Sequence, residues 1–123
     1  AYARRMQGIL KKTVYSKPIS LCMDYIYNHL HTKITLEELA EQCKLSAPYL
    51  SKLFHKEVGQ PVSKYIMQKR MDAAEKMLRY TEFTSAEIAN CLCFSSESHF
   101  IHTFKQYAKI TPKEFREQQF RTK

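Results

Sequence analysis

Four polar side chains near the end of the chain, Glu97, Ser98, His102 and Lys105, recur at intervals that put them on one side of a helix. A carboxylate, a hydroxyl, an imidazole and an ammonium group in a row supply hydrogen-bond donors and acceptors. Such a row suits recognition of another polar molecule better than bond making. Cys91, Cys93, His99 and His102 also lie close together and are all of metal-binding type. C-x-C followed by H-x-x-H is not the usual zinc-finger spacing, however, so neither a metal nor another cofactor is expected. The chain has no nucleophile elbow, phosphate-cradling glycine loop or paired-carboxylate motif, and an enzyme is not expected.

The polar row needs a scaffold, and residues 84–115 provide one. Thr84 and Glu87 form a T-x-x-E capping box opening a short helix, with Ile88 and Ala89 on its apolar side. A turn falls at residues 92–95, and Ser95 or Ser96 can cap a second helix. On that helix Phe100, Phe104 and Tyr107 recur at intervals of four and three and are expected to point inward. A short helix, a sharp turn and a helix with a polar outer face outline a helix-turn-helix.

The same outline occurs earlier in the chain. Pro18 suits the first turn of a helix carrying Ile19, Cys22, Met23, Ile26 and Leu30. Thr35 and Glu38 form a second capping box, Leu36, Leu39 and Ala40 face inward, and a turn at residues 43–45 leads to Ser46 as a cap. A helix with Leu50, Leu53 and Phe54 on its apolar face follows, and Gly59 is placed to end it in a left-handed conformation. Thr35 matches Thr84, Glu38 matches Glu87 and Ala40 matches Ala89. After one residue is gained in the second turn, Ser46 matches Ser96, Leu50 matches Phe100, Phe54 matches Phe104 and Tyr65 matches Phe115. Shared caps, alanines and aromatics in register mark two copies of one unit. Between them, residues 61–79 read as one uninterrupted helix, a rod of roughly 27 Å. Thr111 and Glu114 form a third capping box.

Composition sets the bounds. A chain of 123 residues, 44% hydrophobic, can bury a core, and 2 glycines with 4 prolines favour helix over sheet. No apolar run is long enough to cross a bilayer, which leads us to expect a soluble protein. Of the net charge of +8, five units fall on Arg4, Arg5, Lys11, Lys12 and Lys17, with no acid among them, leaving +3 for the remainder. This lead-in, residues 1–17, reads as a basic linker or the tail of an upstream domain. A basic protein points to a polyanionic partner, although much of this excess lies on the lead-in. Cys22, Cys43, Cys91 and Cys93 show no framework spacing, consistent with free thiols and a reducing, cytoplasmic setting.

Several stretches together resemble the DNA-binding domain of the AraC/XylS family of bacterial transcription regulators. They are ITLEELAEQCKLSAPYLSKLFHKEVGQPVSKYI, Arg70 followed by Ala73, Ala74, Met77 and Leu78, and the run from Glu87 through FSSESHF to TPKEFR. The match runs from about Ile19 to Arg116. The resemblance implies an all-α fold of seven helices, two helix-turn-helix subdomains joined by a long linking helix. On this reading the domain spans residues 18–120, with the first helix-turn-helix at about 34–58, the linking helix at 61–79 and the second unit at about 84–108. The family has glycine where this chain has Cys93 and Lys109, and Lys44 holds the place equivalent to Cys93 in the first turn.

The resemblance further implies that each second helix enters a major groove of double-stranded DNA. Base-facing positions carried over from the family are Ala47, Pro48, Ser51 and Lys52, with Lys56 further along. In the second unit they are Glu97, Ser98, Ile101 and His102, to which the polar row adds Lys105. Lys52 suits guanine O6 and N7, Ala47 a thymine methyl and Glu97 cytosine N4. Thr35, Ser46, Thr84 and Ser96 are first of all caps and secondarily phosphate contacts. Contact with RNA polymerase, and an effector or dimerisation domain upstream, are implied by the family. No membrane partner is expected.

Overall fold

Seven helices follow one another in the computed structural model, which describes residues 14–121. Residues 1–13 of the basic lead-in, with Arg4, Arg5, Lys11 and Lys12, lie outside the described residues. The helices are α1 (Lys17–Asn28), α2 (Leu36–Cys43), α3 (Ala47–Val58), α4 (Val62–Tyr80), α5 (Ser85–Cys91), α6 (Glu97–Ala108) and α7 (Pro112–Arg121). No strand occurs among the described residues.

Local chemistry explains where the helices begin. Pro18 sits in the first turn of α1, where a missing N–H costs nothing. Thr35 Oγ1 accepts from the Glu38 amide at 3.1 Å, and the Thr35 amide donates back to Glu38 Oε1 at 3.3 Å. Thr84 and Glu87 make the same reciprocal pair at 3.1 and 2.8 Å, and Thr111 and Glu114 at 3.1 and 2.9 Å. Each box satisfies two amides that a helix start would otherwise leave unpaired. At Glu114 these hydrogen bonds hold the carboxyl below its usual pKa range; at Glu38 a bond from the Tyr25 hydroxyl contributes most.

The ends of α2, α3, α5 and α6 rely on left-handed backbone, with glycine at one of the four. Gly59 closes α3 with φ 87°, and its counterpart Lys109 closes α6 with φ 73°. In the two turns Lys44 and Cys93 adopt φ 59° and 65°. Both turns then make the same bond one residue on, Leu45 N–H to Ala40 O at 3.0 Å and Phe94 N–H to Ala89 O at 2.9 Å. That bond satisfies a carbonyl at the end of the preceding helix and offsets the cost of a left-handed non-glycine residue.

Two cores result. The first gathers Ile19, Cys22 and Ile26 of α1, Leu39, Ala40 and Cys43 of α2, Leu50 and Phe54 of α3, and Val62 and Ile66 of α4. The second gathers Met71, Ala74 and Leu78 of α4, Ile88 and Ala89 of α5, Leu92 of the turn, Phe100 and Phe104 of α6, and Phe115 of α7. Helix α4 therefore does more than hold two units apart. Its first half closes the first core and its second half opens the next, with Met71, Ala74 and Leu78 repeating the three-then-four spacing of Ile19, Cys22 and Ile26. Burying side chains of this size contributes roughly 1.5–3 kcal/mol each.

An arginine from the closing helix ties down the end of the opening helix in each unit. Arg70 donates through Nε to Leu30 O at 3.1 Å and through Nη2 to Thr32 O at 2.6 Å. Arg116 donates through Nε to Leu78 O at 3.1 Å and through Nη2 to Thr81 O at 3.0 Å. Charged donors on carbonyls at or just beyond a helix end are strong partners for groups that end leaves open. In the first core the Cys22 thiol is pushed up to about 12 by burial and then by Cys43, leaving it protonated and inert.

Three inward assignments change. Leu36 and Leu53 are only partly buried, at the margin of the first core. Tyr107, expected to lie in line with Phe100 and Phe104, is 38% exposed. A phenol requires a hydrogen-bond partner, and at the rim its hydroxyl donates to Asp72 Oδ1 on α4 at 2.6 Å.

Lys109→Gly should raise stability by about 0.5–1 kcal/mol and Gly59→Ala should lower it by about 1 kcal/mol, both read by urea denaturation. No atom lies within 4 Å of a Cβ added at Gly59, so the loss would report backbone strain and not a clash. The Tyr107 hydroxyl is pushed up to about 12, first by its bond to Asp72 and then by burial. A raised folded-state pKa means its contribution is complete below the unfolded value of about 10 and disappears as pH climbs from there to about 12. Tyr107→Phe should weaken the alkaline decline of the melting temperature in that window.

Candidate nucleic-acid interface

Helices α3 and α6 are the parts of the two units whose outer faces carry the polar row. Each is held from beneath by aromatic or aliphatic anchors: Leu50 and Phe54 under α3, Phe100 and Phe104 under α6, all fully buried. The opposite sides are therefore turned outward by the same periodicity that builds the cores. Each helix begins at a serine cap: Ser46 Oγ accepts from the Tyr49 amide at 3.3 Å, and Ser96 Oγ from the His99 amide at 3.0 Å. Neither serine is used up, since the hydroxyl hydrogen and the remaining first-turn amides stay available to an anion.

On α3, Pro48, Ser51, Lys52 and Lys56 are all exposed. Ser51, Lys52 and Lys56 line one shallow depression together with His55 and Pro61. Neither lysine has an acidic partner among the described residues, and the acid nearest in sequence, Glu57, is turned away to accept the Ser16 amide at 2.8 Å. On α6, Glu97, Ser98, His102 and Lys105 are exposed. Glu97 in the first turn is favoured there by the positive end of the helix. Ala47 and Ile101 stand apart. Both are partly buried and pack against the first and second cores respectively, so they form the apolar margin of each face. Thr35 and Thr84 sit at the starts of α2 and α5, their hydroxyls occupied by the capping boxes.

The structure adds three residues. His55 aligns with Lys105 and joins the α3 depression. Tyr49 and His99 both occupy the third position after the cap, and both are exposed. The register of the repeat identifies them, because each lies fifty residues from its counterpart. His99, of metal-binding type in the sequence, also falls at a surface position of the second reading helix, and it is exposed there. Its Nδ1 is 3.2 Å from Ser95 Oγ, and no three His, Cys, Asp or Glu side chains converge on a common point among the described residues. No helix among the described residues is long and apolar enough to cross a membrane.

Comparison with known proteins agrees with this geometry. A family model described as a helix-turn-helix domain matches residues 39–118. The regulatory protein PocR of Salmonella typhimurium is 33% identical over 106 residues, covering 86% of this chain and 35% of PocR. The chain spans about a third of the length of this and the next curated relatives it matches. Among solved structures, the C-terminal domain of the two-component response regulator yesN from Fusobacterium nucleatum is 38% identical with a TM-score of 0.76. That match covers 82% of this chain and 99% of that one. A transcriptional regulator described as AraC-type DNA-binding domain-containing, from Chromobacterium violaceum, is 25% identical with a TM-score of 0.79. It covers 83% of this chain and 91% of that one.

Proposed function

The chain belongs to the AraC-type helix-turn-helix family, and from that premise we propose that it is the DNA-reading part of a bacterial transcription regulator. The observation that carries the proposal is the tandem pair of exposed polar faces on α3 and α6, each seated on its own core and both joined to α4.

In this reading α3 and α6 enter successive major grooves on one side of the duplex. Lys52 donates to guanine O6 and N7, Ser51 and Ser98 donate or accept, and His102 contacts a base or phosphate. Lys56 and Lys105, further from the helix starts, neutralise phosphates, while Pro48, Ala47 and Ile101 supply apolar contact. Glu97 repels phosphate and gains only by accepting from a base amino group such as cytosine N4. The caps at Thr35, Ser46, Thr84 and Ser96 hold helix starts at which phosphates are favourably bound. A stiff α4 makes simultaneous engagement depend on DNA that bends or already has a fitting shape.

The same reading extends to the whole protein. An effector or dimerisation domain precedes this one, RNA polymerase is the partner through which binding alters transcription, and the protein works in the cytoplasm without catalysis of its own. The coverage of about a third of its relatives supports the first of these.

Duplex binding measured across salt concentrations tests the proposal. The log–log slope should be several units, and Lys52→Ala should cost about 1–3 kcal/mol on a selected site while relaxing one base position. An equal loss on selected and random duplex would make Lys52 a phosphate contact, and no salt-dependent binding at all would overturn the DNA reading.

A further inference from the structure

The two turns differ by one residue, Ser95, and that residue has a visible consequence. It lies between the left-handed corner at Cys93 and the cap at Ser96, and has no counterpart between Leu45 and Ser46. Its Oγ is 3.2 Å from Nδ1 of His99. On another side the His99 ring meets Phe94 edge-on, with centroids 5.2 Å apart and planes at 74°. Phe94 is itself anchored on Phe100, with centroids 5.3 Å apart, and Phe100 is fully buried. A chain of contacts thus runs from the second core to an exposed imidazole in the first turn of α6. In the first unit the matching Tyr49 is 54% exposed, and no such chain holds it.

An imidazole held through Nδ1 offers only Nε2 to a partner. With the Ser95 hydroxyl donating to Nδ1, the neutral ring carries its hydrogen on Nε2 and becomes a donor. Holding the ring in advance also removes most of the rotamer entropy that a free side chain loses on contact. We propose that His99 is a specificity-determining residue of the second reading head, donating from Nε2 to guanine O6 in the major groove, with Ser95 as its positioning residue. The assignment rests on the DNA reading above and extends it to a residue and a base.

Site selection from random duplex with the full chain tests this. Wild type should select guanine at one position of the second half-site. His99→Ala and Ser95→Ala should both relax that position, and His99→Ala should weaken the selected site about ten-fold or more. Ser95→Thr, which keeps the hydroxyl, should restore the preference. The salt slope should not change, and matching circular dichroism and melting curves would show that each variant folds. Selection of cytosine at that position, whose only major-groove polar group is the N4 donor, would mean Nε2 accepts, overturning the assigned donor. Equal weakening on selected and random duplex, with a slope smaller by about one unit, would make His99 a phosphate contact and overturn base reading. An unchanged preference in His99→Ala would also overturn it. Failure of wild type to bind duplex would be distinct from all of these, since the underlying DNA reading would fall first.

Discussion

Everything in this fold depends on α4 belonging to two cores at once. Ile66 closes the first and Met71 opens the second, five residues apart on one helix. At about 100° and 1.5 Å per residue, that interval turns the second core about 140° around the rod and advances it roughly 7.5 Å. The chain has no Gly or Pro between residues 62 and 80, so none of the common causes of a sharp kink is supplied by sequence. The relative position of α3 and α6 is thus a count of residues along a stiff element and not a property of a loop. One inserted residue between Ile66 and Met71 would rotate the second head by about 100°, moving one polar face out of line with the other.

That arrangement places demands on the rest of the chain. Each unit has to hold its helices against α4 with a small core, so helix ends cannot be left loose. The capping boxes at Thr35, Thr84 and Thr111, and the arginines on carbonyls just past α1 and at the end of α4, secure these ends. Leu30, just past α1, packs against both cores and so stiffens the junction from outside the rod. The left-handed residues Lys44, Cys93 and Lys109 show what is tolerated in return. A conformation costing about 1–2 kcal/mol per residue persists because Lys44 and Cys93 redirect the chain so that α3 and α6 meet their anchors, and Lys109 turns it so that Phe115 reaches the second core.

Much of this was legible in the sequence because it is encoded locally. A T-x-x-E box is read from four adjacent letters, and the glycines that the family resemblance puts at Cys93 and Lys109 point to the left-handed backbone found there. The polar faces of α3 and α6 were legible too, being what remains when the apolar period is removed. Harder to see was the double membership of α4. Its two stripes merge into one amphipathic pattern unless Met71, Ala74 and Leu78 are laid against Ile19, Cys22 and Ile26. The bonds from Arg70 to Leu30 and Thr32 span about forty residues, and no local pattern signals them. Tyr107 follows the apolar period of α6 yet stops at the rim, because its hydroxyl has a partner in Asp72 that only the fold brings near. The lock on His99 was hidden by an inserted serine, which reads as loop until its hydroxyl is seen beside the ring.

The two heads are alike in backbone and unlike in charge, and the difference bears on how they divide the proposed task. Lys52 and Lys56 give α3 two ammonium groups with no acid on the same outer face. On α6 the charges of Glu97 and Lys105 cancel, and Ser98, His99 and His102 beside them add hydroxyl and imidazole groups. Phosphate attraction is long-ranged, insensitive to sequence and the main source of affinity, whereas hydrogen bonds to base edges act only at contact. A head with two free cations gains on almost any duplex. A head carrying a carboxylate loses on most sites and recovers the loss only where the bases present amino donors. Since α4 holds the heads at a fixed spacing, attachment of the first also fixes where the second is presented. On the proposed reading the first head adds general attraction through Lys56 to guanine reading by Lys52, and the second, presented at a set distance and angle, adds refusal of sites that offer Glu97 no amino donor.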